Sequence, residues 1–167
     1  PLLELGPLGH FDDSAVVPSQ IFFFKKKFYL FYIGWTQGAR VPYMAALGLA
    51  SSSSLNKKFK RISLAPVIGR SNIDPIFTAS CFVQKYKKYF RTYYTSNLKW
   101  SNIKNVLVPK YIIKEGFSKN LIDWKFGKIA INHKSKNEMA LTRPWLLRDK
   151  KNKLVMMYSY GQMKNKK

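Results

Sequence analysis

Carboxylates are scarce in this sequence: 8 Asp and Glu stand against 30 Lys and Arg in 167 residues, for a formal net charge of +22. A surface laced with ion pairs is therefore excluded, and any acid that recurs at a regular position calls for a reason. One cysteine, Cys81, rules out a disulfide within the chain, and its apolar setting in Cys81-Phe82-Val83 reads as a buried, inert thiol. Two histidines, His10 and His133, stand far apart with no cysteine pair beside either, so neither is read as a metal ligand and no zinc spacing is present. A glycine-rich phosphate loop and a Ser-His-Asp set are missing as well. No signal-peptide pattern is found, and the longest apolar stretch, Ile21 to Trp35, is cut by Lys25-Lys26-Lys27. It falls short of a bilayer span, so the chain is read as soluble without a membrane segment. Opening on Pro1 rather than Met, it is also read as lacking a preceding segment.

Helical periodicity is absent too, which excludes a bundle. What is there is aromatic: Phe 12, Tyr 10 and Trp 4, residues whose rings suit a pleated surface. Three stretches share a pattern, namely Pro18 to Phe24 turning into Phe28 to Tyr32, Ala79 to Val83 turning into Tyr89 to Tyr94, and Arg143 to Leu147 turning into Leu154 to Tyr158. Each reads as a hairpin with a lysine-rich or charged turn. Their closing tyrosines, Tyr32, Tyr94 and Tyr158, recur at roughly 63-residue intervals, which is a repeat. A second hairpin follows in the first two units, from Leu47-Gly48-Leu49-Ala50 through the turn Ser51 to Ser54 to Phe59, and from Tyr111-Ile112-Ile113 through Ser118-Lys119-Asn120 to Trp124. Two consecutive hairpins make a four-stranded antiparallel sheet of the kind a propeller blade needs. The expected architecture is all-β, a partial propeller domain over 1–167 of about three blades, with units at about 12–73, 74–137 and an incomplete 138–167. Three blades leave an open stack, so the chain is read as a fragment with a raw apolar face after Tyr160.

The same period places acids: Asp12 or Asp13, Asp74 and Glu138 each precede the first strand of a unit. In a propeller the first strands line the axis, so these carboxylates are expected around one central pocket. Fold maintenance has no use for like charges brought together, whereas glycoside hydrolysis needs a protonated carboxyl for the leaving oxygen and an ionised one on the other face of the sugar. A structural calcium at the axis would draw on the same oxygen ligands and is the alternative account. No other cofactor is expected.

At these residues the chain resembles the five-bladed propellers of glycoside hydrolase families 32, 43 and 68, and more closely the uncharacterised family 32/43-like proteins of bacterial surface-polysaccharide clusters. The motifs are Phe11-Asp12-Asp13-Ser14 leading to Pro18-Ser19, Tyr32-Ile33-Gly34-Trp35, Asp74-Pro75 leading to Ala79-Ser80, Tyr93-Tyr94, and Glu138 leading to Arg143-Pro144 and Tyr158-Ser159-Tyr160. The resemblance implies a catalytic set with Asp12 or Asp13 as nucleophile or base, Asp74 as the orienting carboxylate and Glu138 as the acid. Phase alone does not choose between Asp12 and Asp13. Arg70 and Arg143 lie near two of the acids, to bind sugar hydroxyls or a substrate carboxylate or to pair with those acids for structure. Trp35 sits at a strand end, as a platform for a sugar ring or as core.

The expected partner is an oligo- or polysaccharide. The competing reading is a non-catalytic module that binds a glycan or another anionic polymer. A nucleic-acid binder is not expected, because only six of the basic residues are Arg and the lysines sit at turns, where solvation accounts for them.

Overall fold

Phe28-Tyr29-Leu30-Phe31-Tyr32-Ile33 has no polar face to turn to water, so a strand made of it must be covered on both sides. The computed structural model, which describes residues 1–163, does this with ten strands and no helix among those residues. The first sheet is a meander of β1 (Ala15–Phe24), β2 (Lys27–Gln37), β3 (Tyr43–Ser52) and the two-residue β4 (Lys60–Arg61). The second unit repeats the meander with β5 (Thr78–Tyr86), β6 (Tyr89–Ile103), β7 (Val106–Ser118) and β8 (Trp124–Ile131). A third hairpin follows, β9 (Glu138–Arg148) with β10 (Leu154–Gln162).

Both faces of β2 are indeed buried. Leu30 and Tyr32 pack with Ala50 and Phe59 under Leu3 and Phe11 of the N-terminal segment. Phe31 and Ile33 point the other way, into the main core with Leu47, Leu49, Ile68, Phe77, Val83 and Tyr94, between the first and second sheets. A third cluster, Tyr93, Ile113, Leu141 and Leu146, joins the second sheet to β9. The order is thus covering segment, blade, core, blade, core, hairpin. On the third unit Leu147, Val155, Met157 and Tyr160 are left exposed. Among the described residues no helix is long and apolar enough to cross a membrane.

Two details depart from three separate sheets. The fourth strand of the first blade is only Lys60–Arg61, with Phe59 buried just ahead of it and its N–H bonded to the Leu2 carbonyl. The third hairpin is also joined to the second blade by one parallel pair, Tyr111 with Ala140.

Successive first strands lie side by side, and repeated serines clasp them. Ser19 and Ser80 each sit where the register of their strand slips by a residue, in β1 between Pro18 and Gln20 and in β5 between Ala79 and Cys81. Such a bulge turns a side chain out of the ladder. Ser19 Oγ accepts the Cys81 N–H at 2.8 Å, and Ser80 Oγ accepts the Arg143 N–H at 3.1 Å. Next to the first clasp the Gln20 amide bonds both backbone groups of Val83. At the second, Ser80 lies within hydrogen-bond reach of the Thr95 and Thr142 hydroxyls. Ser80→Ala should therefore cost about 1–2 kcal/mol, because it strands the part-buried Arg143 N–H between units and removes a hydroxyl from the Thr95 and Thr142 cluster. A urea midpoint lowered at unchanged slope is the expected reading.

Cys81 lies in the same clasp, and burial pushes its thiol up to about 12. It is the inert thiol expected of it.

Candidate active site

Asp12 and Asp74 lie ahead of β1 and β5, whereas Glu138 is the first residue of β9 rather than ahead of it, and the three do not share one environment. Asp12 is fully buried, with the N-terminal segment at Gly6 and the β2 backbone at Gly34 closing on its side chain. Its Oδ2 accepts the Tyr32 hydroxyl at 3.0 Å and the Arg61 Nε at 2.8 Å, and Arg61 Nη2 stands at 2.7 Å in an ion pair. Tyr32 reaches Asp12 because its cross-strand neighbour is Gly48, where any Cβ would collide with the ring.

Asp74 repeats the arrangement one blade on. It too is fully buried, taking the Tyr94 hydroxyl at 2.8 Å, the Ser96 hydroxyl, and Lys114 Nζ at 2.9 Å. Burial, and next the neighbouring carboxylate, push the Tyr32 and Tyr94 phenols well above their usual range, so both remain donors.

The third unit breaks the pattern. Glu138 Oε2 accepts only the Lys134 N–H, at 2.6 Å, and among the described residues it has no ion-pair partner. Tyr158, at the position matching Tyr32 and Tyr94, falls at a register slip between Met157 and Ser159 and is 37% exposed. It leaves Glu138 without a phenol. Glu138 is buried as well, at 8% exposed where the two aspartates are at 0%. His133 stands close enough to feel the charges of both Glu138 and Lys110. Burial first, and Lys110 second, lower its pKa, which leaves the imidazole neutral at pH 7.

Asp13 differs from its neighbour. Half-buried, it accepts the Ser14 hydroxyl at 2.8 Å and the Gly9 N–H at 2.9 Å. The first of these, helped by the second, holds its carboxyl below the usual carboxylate range.

No hydrogen bond joins any two of these acids, and no three His, Cys, Asp or Glu side chains gather as a metal-holding group among the described residues. Arg70 is exposed and gives its Nε to the Pro75 carbonyl rather than to Asp74. Arg143 is exposed, with a left-handed backbone at φ 53°. Trp35 is half-buried against Tyr43 at 4.3 Å, in an aromatic group with Phe77, Trp100 and Tyr111 at the core's edge.

Sequence reasoning missed Arg61 and Lys114. One signal for Lys114 was present: it continues the apolar run Tyr111-Ile112-Ile113, and a lysine buried there needs an anion. The aspartate and tyrosine pairs were legible as well, since both residue types recur at the same period.

Meandering four-stranded blades, with their first strands side by side, define a β-propeller. More particularly, the fold is similar to that of solved proteins described as glycoside hydrolases. The β-fructofuranosidase of glycoside hydrolase family 32 from Bombyx mori superposes with a TM-score of 0.73 at 15% identity, over 98% of this chain and 33% of the enzyme. A variant of that enzyme in complex with sucrose gives a TM-score of 0.70 at 16% identity, over 87% of this chain and 29% of the other. A putative glycoside hydrolase from Parabacteroides distasonis gives 0.57 at 20% identity, over 89% of this chain and 41% of the other. At such identities the likeness is one of fold. In sequence the chain is similar to an uncharacterized protein of Mycobacterium tuberculosis, 28% identical over 150 residues, which are 89% of this chain and 49% of the relative. The chain spans about half the length of the curated relatives it matches. No family model matches it.

Proposed function

We propose that the protein is a carbohydrate-active propeller of the glycosidase type, acting on an oligo- or polysaccharide, with Glu138 as the carboxyl that gives the leaving oxygen its proton. One observation carries this reading. Of the three acids at equivalent positions, two are locked by a tyrosine and a cation, while Glu138 has, among the described residues, a single backbone donor and no counter-charge. A proton-transferring group must be free to change its protonation, and a carboxylate clamped by a cation is not.

For the opposing anionic carboxylate, accessibility and a lowered pKa favour Asp13 over Asp12. Asp74 then acts as an orienting group, rigid through its tie to Lys114, and Arg143 offers a free guanidinium on strained backbone. Arg70 and Trp35 supply further sugar contacts.

A panel of aryl glycosides and oligosaccharides should show reducing-sugar release from at least one member. Binding without release from any would favour the second reading, a glycan-binding module. The burial of Asp12 and Asp74 in ion pairs speaks for that reading.

A further inference from the structure

In a meander, the turn from first to second strand and the turn from third to fourth lie at the same end of the blade, opposite the end where the first strands begin. The lysines of Lys25 to Lys27, Lys57 and Lys58, Lys87 and Lys88, Lys119, and Lys150 and Lys151 all belong to such turns. They therefore gather on one end of the molecule, away from the acids ahead of β1 and β5 and at the start of β9. The acids on that end are already engaged: Glu4 pairs with Lys58, Asp123 accepts from Asn120, and Asp149 accepts the Lys151 and Lys153 N–H groups. Solvation explains a lysine at one turn, but it does not explain a basic end.

On the second blade this end holds a cleft of about 950 Å³. Tyr86, Tyr89 and Phe117 form its aromatic wall, Lys87, Lys119 and Lys125 stand around it, and one carboxylate, Asp123, also lines it with its Oδ2 accepting the Asn120 amide. The ammonium groups of Lys87 and Lys119 lie over the rings of Tyr86 and Tyr89, at 5.8 and 5.9 Å from their centroids. Aromatic surface that no cation covers takes the apolar face of a sugar ring, and the lysines beside it match a charge carried on that ring.

We infer that this cleft binds a polysaccharide carrying acidic sugars, as a site separate from the acids at the other end. The choice of a sugar polymer rests on the carbohydrate reading above, while the charge and the cleft stand without it. Nucleic acid is disfavoured: the cleft has no arginine in its wall, and Arg91 beside it is committed to Glu115.

Polygalacturonate, dextran and poly(U) RNA are the probes, in direct binding measurements on the protein at low and moderate salt. Polygalacturonate should bind at least about tenfold more tightly than dextran. The triple variant K87N/K119S/K125S should lose about tenfold of that, and the salt slope should flatten. Tyr86→Ala should lose about fivefold with the slope unchanged, because it removes a stacking face and no charge. Near-UV spectra like the parent's show that the variants are folded. Equal binding of dextran, a triple variant that binds like the parent, or tighter binding of poly(U) would each overturn the inference. Glu138→Gln should leave polygalacturonate affinity intact, so a failed turnover assay and a failed cleft remain distinct results.

Discussion

Replacing Asp74 with alanine should destabilise the protein by about 3–5 kcal/mol, the cost of leaving one member of a buried ion pair alone. The carboxylate has no exposure, and the Lys114 side chain keeps only 11%. Without Asp74 that ammonium retains the Ile73 carbonyl but loses its counter-charge. The Tyr94 and Ser96 hydroxyls lose their acceptor as well. All of this happens at the core between the first and second blades, where Tyr94 packs on Phe126 and on the cluster around Phe31 and Leu47. Asp74→Asn keeps an acceptor oxygen and should cost less. A double-mutant cycle with Lys114→Met should give a coupling of about 1–3 kcal/mol, since the two residues share one network. Denaturant midpoints measure both. If Asp74→Ala were to fold with parental stability and lose only turnover, its role would be in the reaction and the clamp description would be wrong.

The hairpins were legible in the sequence because blade strands are short and apolar and their turns are marked by lysines, and the period was legible because Tyr32, Tyr94 and Tyr158 recur with the acids. The serine clasps were half visible: Pro18-Ser19 and Ala79-Ser80 stood out as repeated pairs, but a bulge is a property of two strands in register. Phase alone could not separate Asp12 from Asp13. Asp12 is closed in by Gly6 and Gly34, whereas Asp13 is half-buried and held by the Gly9 N–H and the Ser14 hydroxyl. Arg61 and Lys114 were out of reach for a different reason. They lie 49 and 40 residues from the aspartates they neutralise, and only the return of β4 and β7 across the sheet brings them there. The lysines were placed correctly at turns, yet each turn was weighed singly, and the basic end is a consequence of where a meander sends them together.

Glu138→Gln should lower turnover by about a hundred- to ten-thousandfold, the range that general acid catalysis supplies, while leaving stability within about 1 kcal/mol of the parent. The amide keeps the oxygen that accepts the Lys134 N–H, and no ion pair is broken because none is present among the described residues. What is lost is the exchangeable proton alone. The same substitution at a clamped position should behave in the opposite way: Asp12→Asn removes the negative charge opposite Arg61, whose side chain is 15% exposed, so its effect should fall on stability. The pair of variants thus separates a carboxyl held for structure from one held for chemistry. Activated aryl glycosides, whose leaving groups need little protonation, should lose far less rate in Glu138→Gln than unactivated oligosaccharides. An equal loss on both kinds of substrate would move the acid role to another residue and leave Glu138 as a positioning group for the Lys134 loop.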